Sequence, residues 1–316
     1  MKKKILFYSI FYFVIIGLFL LGTFCDLSIS KALADLDNGA YFSKNLFANV
    51  VECFAEWPIY FLLSASLCVI GYSLTDKFEK QKLIIIIIVA LGVFFAFALC
   101  FYRCVVSLGE VYGFYEQLED NLAFYICCLL CGIAFAVVFI WLSNLIGTEK
   151  LSQFFYFAIA CIAVIAITFL LTQVLKEIVN RPRFRALNVI GFDKYSPWYK
   201  IGKINGKDFT DAILADDGFV SFPSGHVSWS ANAIMLCFLP RFINLNKKAK
   251  LCFTIIPPCV TILVAFARIV AGAHYLTDVT FSLLASVIIM ELTVLIVLLI
   301  KKKRDKKLQE ELLVKD

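Results

Sequence analysis

The chain has 316 residues, is 61% hydrophobic and has a mean hydropathy of +0.86. A domain that folds in water needs a larger share of polar residues on its surface, so this composition excludes a soluble globular protein. The formal net charge is +6. The positions of the basic residues, described below, explain this charge without a nucleic acid partner.

Eight runs of apolar residues follow one another along the chain. Each is close to the length of about 20 residues that a helix needs to cross the roughly 30 Å hydrocarbon core of a bilayer. No water reaches the backbone at that depth, so each run must satisfy its hydrogen bonds internally as a helix. The predicted fold is therefore an all-α, polytopic transmembrane bundle of about eight helices. The runs are 5–25, 57–75, 83–102, 123–146, 153–175, 226–243, 251–271 and 277–300.

The first run has an alternative interpretation as a signal peptide. It follows three lysines at 2–4, and Ala32-Leu33-Ala34 resembles a cleavage site. Its apolar stretch is too long for a signal peptide, and the alanine pair lies too far beyond it. We therefore predict a retained helix; cleavage would leave seven helices with the same orientation.

The basic residues are distributed unequally between the two sides of the predicted bundle. With a cytoplasmic N-terminus, the inner segments hold 18 Lys or Arg against 7 acidic residues, whereas the outer segments hold 12 basic against 16 acidic ones. Short cytoplasmic loops carry such an excess of Lys and Arg. The pattern predicts a multi-pass protein of the cell membrane with both termini in the cytoplasm.

Three connections on the predicted outer side are longer than the rest: 26–56, 103–122 and 176–225. Long connections in compact bundles are often functional. The last connection is the longest. Both histidines of the chain are predicted to lie on the same side of the membrane as this connection. His226 is at the start of the sixth run, and His274 lies between the seventh and eighth.

Residues suited to phosphate binding lie at the same predicted membrane face. Lys176 and Arg183 are seven apart, nearly two helical turns, and share a face if the helix persists past Pro182. Two fixed cations neutralise phosphate oxygens, and Arg does so bidentately. Ser224 and Gly225 precede a helix start, where free N–H groups favour an anion and glycine permits close approach.

The histidines supply the complementary chemistry. His274 and Asp278 are four apart, so on a helix the carboxylate can hold one imidazole nitrogen and leave the other free to attack. His226 remains as the general acid that protonates the leaving oxygen, because His is the side chain that titrates near neutral pH without a large shift of its pKa.

Together these segments resemble the signature of the type 2 phosphatidic acid phosphatase superfamily, Lys-x6-Arg-Pro, Pro-Ser-Gly-His and Ser-Arg-x5-His-x3-Asp. The resemblance implies His274 as the nucleophile through a phosphohistidine, Asp278 as its orienting partner and His226 as the general acid. Phe184 and Ala267 depart from the motif, at positions that carry no chemistry in the family. The resemblance implies no metal and no other cofactor. The phosphate ligands it implies are Lys176, Arg183, Ser224, Gly225 and Arg268.

The resemblance also implies a division of the chain. The family's six-helix membrane form corresponds to residues 83–300, including the external loop 176–225. Residues 1–82 would be an additional N-terminal pair of helices, and residues 301–316 a basic cytoplasmic tail.

Simpler interpretations exist for each motif taken alone. Lys176 and Arg183 could extend to lipid headgroups at the interface, Ser224 could be an ordinary helix cap, and His274 with Asp278 could be a structural pair. Arg181 and Arg185 have no role in the motifs, so we expect them to contact headgroups or solvent.

These observations favour hydrolysis of a lipid-linked phosphate or diphosphate at the outer leaflet, with a phosphorylated lipid as partner. A soluble phosphate ester is a close alternative, and a phosphotransferase would use the same phosphohistidine. Vanadium haloperoxidases share the motifs but are soluble. A transporter or flippase, from a different class, would place its polar groups nearer the midplane of the membrane.

Overall fold

The computed structural model describes residues 2–201 and 212–313, and over these residues the chain is helical with no β-strand. Residues 202–211 of the predicted external loop and 314–316 of the predicted tail lie outside the described residues. The helices are α1 (Lys2–Leu33), α2 (Leu46–Ala55), α3 (Trp57–Thr75), α4 (Lys82–Tyr112), α5 (Tyr115–Glu119), α6 (Leu122–Ile146), α7 (Thr148–Ser152), α8 (Phe155–Val179), α9 (Phe184–Ile190), α10 (Ala212–Asp216), α11 (Gly225–Ala231), α12 (Met235–Phe238), α13 (Lys247–Val270) and α14 (Leu276–Leu313).

Seven stretches of the described chain are long and apolar enough to cross a bilayer, which confirms the polytopic all-α fold. They extend well past the predicted runs, so two of the predicted loops are largely helical. α1 continues to Leu33 and α4 to Tyr112, and α2 occupies much of the predicted loop 26–56. The spans are Ile10–Leu33, Leu46–Thr75, Glu79–Tyr112, Leu122–Ile146, Phe155–Ile190, Lys247–Val270 and Leu276–Glu311.

The sixth predicted run is a broken helix and is not among those seven spans. α11 and α12 alternate with 3-10 turns at Asn232–Ile234 and Leu239–Arg241. A 3-10 turn rises about 2.0 Å per residue against about 1.5 Å in an α-helix, so this short segment reaches about 28 Å. At its far end the ring of Phe242 packs against Phe157, at the start of α8, with centroids 5.5 Å apart. The segment therefore runs the depth of the bundle.

Two hydrophobic clusters hold the bundle together. The larger one joins α1, α3, α8, α13 and α14 around the broken helix. The smaller one packs α3 against α4 and α6, with the rings of Phe97 and Phe135 stacked 3.8 Å apart. α3 contributes to both clusters, through Leu62 and Cys68, and so connects the two groups of helices. The division of the chain at residue 82 stays a prediction.

α8 ends before the second phosphate-binding cation of the predicted motif. Asn180 adopts a left-handed conformation at φ 45° and stops the helix, and Arg183 precedes α9 in an extended conformation. The helix therefore does not persist, and the condition under which Lys176 and Arg183 would share one helix face is not met. The backbone N–H of Arg183 donates to the carbonyl of Gly218 at 2.8 Å, which fixes its new direction.

Candidate active site

A cavity of about 260 Å³ lies where α2, α4, α8, α11 and α13 meet. Four of the predicted site residues line it: Lys176, Arg183, His226 and Arg268. The described wall carries five cations and four carboxylates, so most of the charge is compensated locally. The charged residues are Lys176, Arg103, Arg183, Arg185, Arg268, Glu52, Glu56, Glu110 and Asp217.

α8 and α11 bring the lysine and the glycine of two separate motifs together. The hydroxyl groups of Thr172 and Ser228 are 3.1 Å apart and tie the two helices. A Cβ placed on Gly225 would lie 3.4 Å from Nζ of Lys176 and 3.4 Å from the ring of Trp229. These are ordinary contact distances, so the predicted reason for glycine here, close approach of the backbone to the anion, stays a prediction.

Several buried donors at this end of the bundle have no hydrogen-bond partner within the described chain, among them four that belong to predicted site residues or to the cavity wall. These four are Nε of Arg183, Nε of Arg268, Oγ of Ser224 and Nε1 of Trp229. Ser224 precedes α11, but its side chain makes no capping hydrogen bond, so the simple capping interpretation is wrong. An unsatisfied buried donor costs about 1–3 kcal/mol, and an anion in the cavity would relieve this cost.

The predicted phosphate-binding arginine Arg183 is held by a carboxylate that the sequence did not single out. Arg183 Nη2 lies 2.8 Å from Asp217, which also pairs with Arg185 and accepts a 2.7 Å hydrogen bond from Tyr41. Burial opposes ionisation of Asp217, but the two guanidinium groups hold the pKa of this carboxyl well below its usual range. Asp217 is therefore ionised and orients both arginines.

Two glutamates of the α2–α3 junction lie against the other side of the site. Glu52 pairs with Arg268, and Nε2 of His226 is 3.9 Å from Glu52 and 3.6 Å from Glu56. Glu56 also forms a bidentate pair with Arg103 at 2.7 and 2.8 Å. Burial, together with the nearby cation Arg268, nevertheless holds the pKa of His226 well below its ordinary range, so its role as general acid stays a prediction.

His274 lies on a tight turn between α13 and α14; it is 1% exposed and is not among the residues that line the cavity. Gly272 adopts φ +63°, where L side chains are strained, and a Cβ there would meet Leu36 at 2.6 Å. The carbonyl of Gly272 accepts a 2.8 Å hydrogen bond from the backbone N–H of Arg185, which fastens the turn to α9.

The hydrogen bonds of His274 define its tautomer. Nδ1 lies 2.6 Å from the carbonyl oxygen of Ser221. A carbonyl only accepts, so Nδ1 carries the proton and the lone pair is on Nε2. Burial, together with the nearby cations Arg183 and Arg268, holds the pKa of His274 well below its ordinary range. The imidazole is therefore neutral and nucleophilic at neutral pH.

Asp278 approaches His274 but does not hydrogen-bond to it. Its Oδ2 is 3.7 Å from Nδ1, outside hydrogen-bond range. This carboxylate instead accepts from the hydroxyl of Ser221 at 2.6 Å and from the backbone N–H of Tyr275 at 2.8 Å. Asp278 thus contacts His274 through Ser221, and its role as orienting partner stays a prediction.

The expectation for the two extra arginines of α8–α9 is wrong. Arg181 is 0% exposed and Arg185 is 5% exposed, and both are paired with carboxylates rather than with solvent or headgroups. Nothing local in the sequence marks their partners Asp26 and Asp217.

Comparison with known proteins finds a family match for part of the chain. Residues 156–302 match the model of the PAP2 superfamily. The chain is also similar to "Probable lipid phosphate phosphatase 4" of Arabidopsis thaliana, with 27% identity over 179 residues, which is 53% of this chain and 54% of the relative. The match thus spans about half the length of that curated relative. No solved structure shows a significant match.

The chain is therefore a multi-pass membrane protein, as its apolar helices indicate. It carries a PAP2 domain over residues 156–302, and the resemblance to the type 2 phosphatidic acid phosphatase superfamily is confirmed. The matched part contains every predicted site residue, whereas the carboxylates Glu52 and Glu56 precede it.

Proposed function

We propose that the protein is an integral membrane phosphatase that hydrolyses a lipid-linked phosphate or diphosphate through a phosphohistidine, at the outer face of the cell membrane. The observation that carries the proposal is the set of unpartnered buried donors of Arg183, Arg268, Ser224 and Trp229. An anion with several oxygens satisfies such a set. The printed name of the relative, a lipid phosphate phosphatase, supports the same substrate class.

In the first step the phosphate binds between the cations. Lys176, Arg183 and Arg268 neutralise its oxygens, and the backbone at Gly225 approaches it closely. Nε2 of His274 attacks phosphorus and forms an N–P bond while the bond to the leaving oxygen breaks. His226 donates its proton to that oxygen, which leaves as an alcohol or as a phosphate.

In the second step water attacks the phosphohistidine. His226, now unprotonated, accepts a proton from the water as the new P–O bond forms and the N–P bond breaks. Inorganic phosphate is released, His274 regains its lone pair, and His226 regains its proton. A phosphotransferase would use the same first step and replace the water by another acceptor.

The position of the site suits a lipid substrate. The cavity lies at one end of a bundle whose outer surface is apolar, so an acyl or prenyl tail can stay in the bilayer while the phosphate reaches Lys176 and Arg268. A transporter or flippase would bind its substrate nearer the midplane. Release of phosphate separates the two classes.

Activity is expected to persist in a chelator, because Lys176, Arg183 and Arg268 supply the positive charge that a divalent metal would otherwise supply. The measurement is phosphate release by the purified protein in EDTA. The substrates are phosphatidate, phosphatidylglycerophosphate, a polyprenyl diphosphate and a sugar phosphate. The Lys176→Met variant, purified in parallel, controls for contaminating phosphatases. Loss of turnover in EDTA that magnesium restores would contradict the mechanism.

The loop that carries the site is expected to be external, because the inner segments hold the excess of basic residues. Lys200→Cys, at an exposed position of this loop, should react with an impermeant maleimide in intact cells. Lys306→Cys, whose native side chain is 79% exposed in the last part of α14, should react only after permeabilisation. The unsubstituted chain measures the background of its own cysteines. The reverse pattern would place the site in the cytoplasm.

A further inference from the structure

A buried arginine links the N-terminal helix to the predicted catalytic carboxylate. Arg181 is 0% exposed; its Nη2 lies 2.9 Å from Asp26 of α1, and its Nη1 lies 2.5 Å from Asp278 of α14. Both carboxylates are themselves buried, at 1% and 0% exposure. Three segments far apart in the chain therefore meet at one guanidinium group.

All the donors of Arg181 are occupied within the protein. Its face also covers the ring of Tyr275 at 4.0 Å, and it does not line the cavity. Arg181 is therefore not a ligand for the substrate and acts through the groups it contacts. Its acceptors are Ser196 O, Thr277 Oγ1, Asp278 Oδ1, Asp26 Oδ2 and Tyr195 Oη.

α1 is docked closely at this point. Asp26 accepts from the backbone N–H of Thr277 at 3.0 Å and from the hydroxyl of the same residue. A Cβ on Gly22 would lie 2.9 Å from Asp26 Oδ1 and 3.0 Å from the Thr277 nitrogen. Only glycine at that position lets α1 approach α14 closely enough for the contact.

The charges of Arg181, Asp26 and Asp278 have a consequence for His274. With both carboxyl groups ionised, Asp26, Asp278 and Arg181 together carry a net charge of −1, and Asp278 is 3.7 Å from Nδ1 of the imidazole. Without Asp26, the charge of Arg181 would cancel that of Asp278. The other charged or titratable groups that face His274 are cationic or neutral, and its Nδ1 contacts a carbonyl. They are Lys176, Arg183, Arg268 and His226, with the carbonyl of Ser221.

We propose that Asp26 is a positioning residue that offsets the charge of Arg181 and so keeps a net negative charge beside His274. The imidazole gains positive charge as Nε2 bonds to phosphorus, and a neighbouring negative charge favours that state over the free, neutral imidazole. This role rests on the proposed phosphohistidine mechanism. Through Asp26, α1 would contribute to the active site although it lies outside the matched PAP2 segment.

The test compares a mimic of the transition state with a mimic of the bound ground state. Orthovanadate adopts the five-coordinate geometry of phosphoryl transfer, whereas inorganic phosphate does not. In titration calorimetry, Asp26→Asn should weaken binding of vanadate about tenfold and leave binding of phosphate within about threefold. With p-nitrophenyl phosphate, kcat should fall about tenfold at nearly constant KM.

A double variant separates charge from structure. Asp26→Asn with Arg181→Met restores the net charge of −1 beside His274, so vanadate affinity and kcat should recover towards those of the unsubstituted chain. A purely structural role predicts that the double variant is as weak as the single one or weaker. Ser30→Ala is the matched control, because Ser30 is buried on α1 and its hydroxyl has no partner in the described chain.

The outcomes distinguish this inference from the proposed function. Equal loss of phosphate and vanadate binding in Asp26→Asn, or no recovery in a folded double variant, would overturn the role of Asp26 alone. Failure of the unsubstituted chain to bind either anion would overturn the proposed function and this inference together. Circular dichroism of each variant in detergent shows whether the fold is intact.

Discussion

His274→Ala is expected to abolish phosphoenzyme formation and to reduce turnover at least about 10⁴-fold with every substrate, because it removes the proposed nucleophile. The 2.6 Å hydrogen bond at Nδ1 leaves the lone pair on Nε2, which supports this nitrogen as the proposed nucleophile. The loss should not depend on the leaving group, since the attacking atom itself is removed.

The measurement is rapid quenching of the enzyme with a ³²P-labelled substrate, followed by acid and alkali treatment. An acid-labile, alkali-stable label on the unsubstituted chain and none on His274→Ala is the expected result. Ser30→Ala, another buried position outside the cavity, should label normally. Label found on His226, with His274 unmodified, would reverse the two assignments.

His226→Ala is expected to slow hydrolysis of an alkyl phosphate about 10²–10⁴-fold, the usual contribution of a general acid. The same variant should lose much less with p-nitrophenyl phosphate. Nitrophenolate is a weak base and leaves without a proton. A general acid therefore contributes little to the rate with this leaving group. The carboxylates Glu52 and Glu56 lie 3.9 and 3.6 Å from Nε2 of this histidine.

Single-turnover rates of phosphoenzyme formation are the appropriate measurement, because His226 also assists the second step. Each tenfold difference between the two leaving groups corresponds to about 1.4 kcal/mol of barrier. His274→Ala provides the comparison, since its loss is equally large for both substrates. Equal losses for both leaving groups in His226→Ala would exclude a general acid role.

Hydropathy and charge were enough to predict the membrane fold, because the length of an apolar helix and the polarity of its flanks are local properties. They also brought Lys176, His226 and Arg268 to one end of the bundle, where the structure places them around one cavity. The break in the sixth helix was not predicted, since α and 3-10 turns have the same apolar composition.

The direction of Arg183 also depended on tertiary structure. Spacing alone indicated one continuous helix through Lys176 and Arg183, but the left-handed Asn180 ends α8 before that arginine. A stop of this kind depends on what the following residues contact, here the backbone of Gly218. The helical period of a sequence does not show at which residue the helix ends.

The charge partners were decided entirely by tertiary structure. Arg181 pairs with Asp26, 155 residues away in sequence, and Arg185 pairs with Asp217, 32 residues away. Composition and motif spacing describe which groups a chain has, whereas ion pairing depends on which helix faces meet. The sequence by itself determined the membrane class and the groups for phosphoryl chemistry. Only the packing of α1, α2 and the loop before α11 decided which carboxylates hold those groups, because electrostatic partners are selected by distance in space.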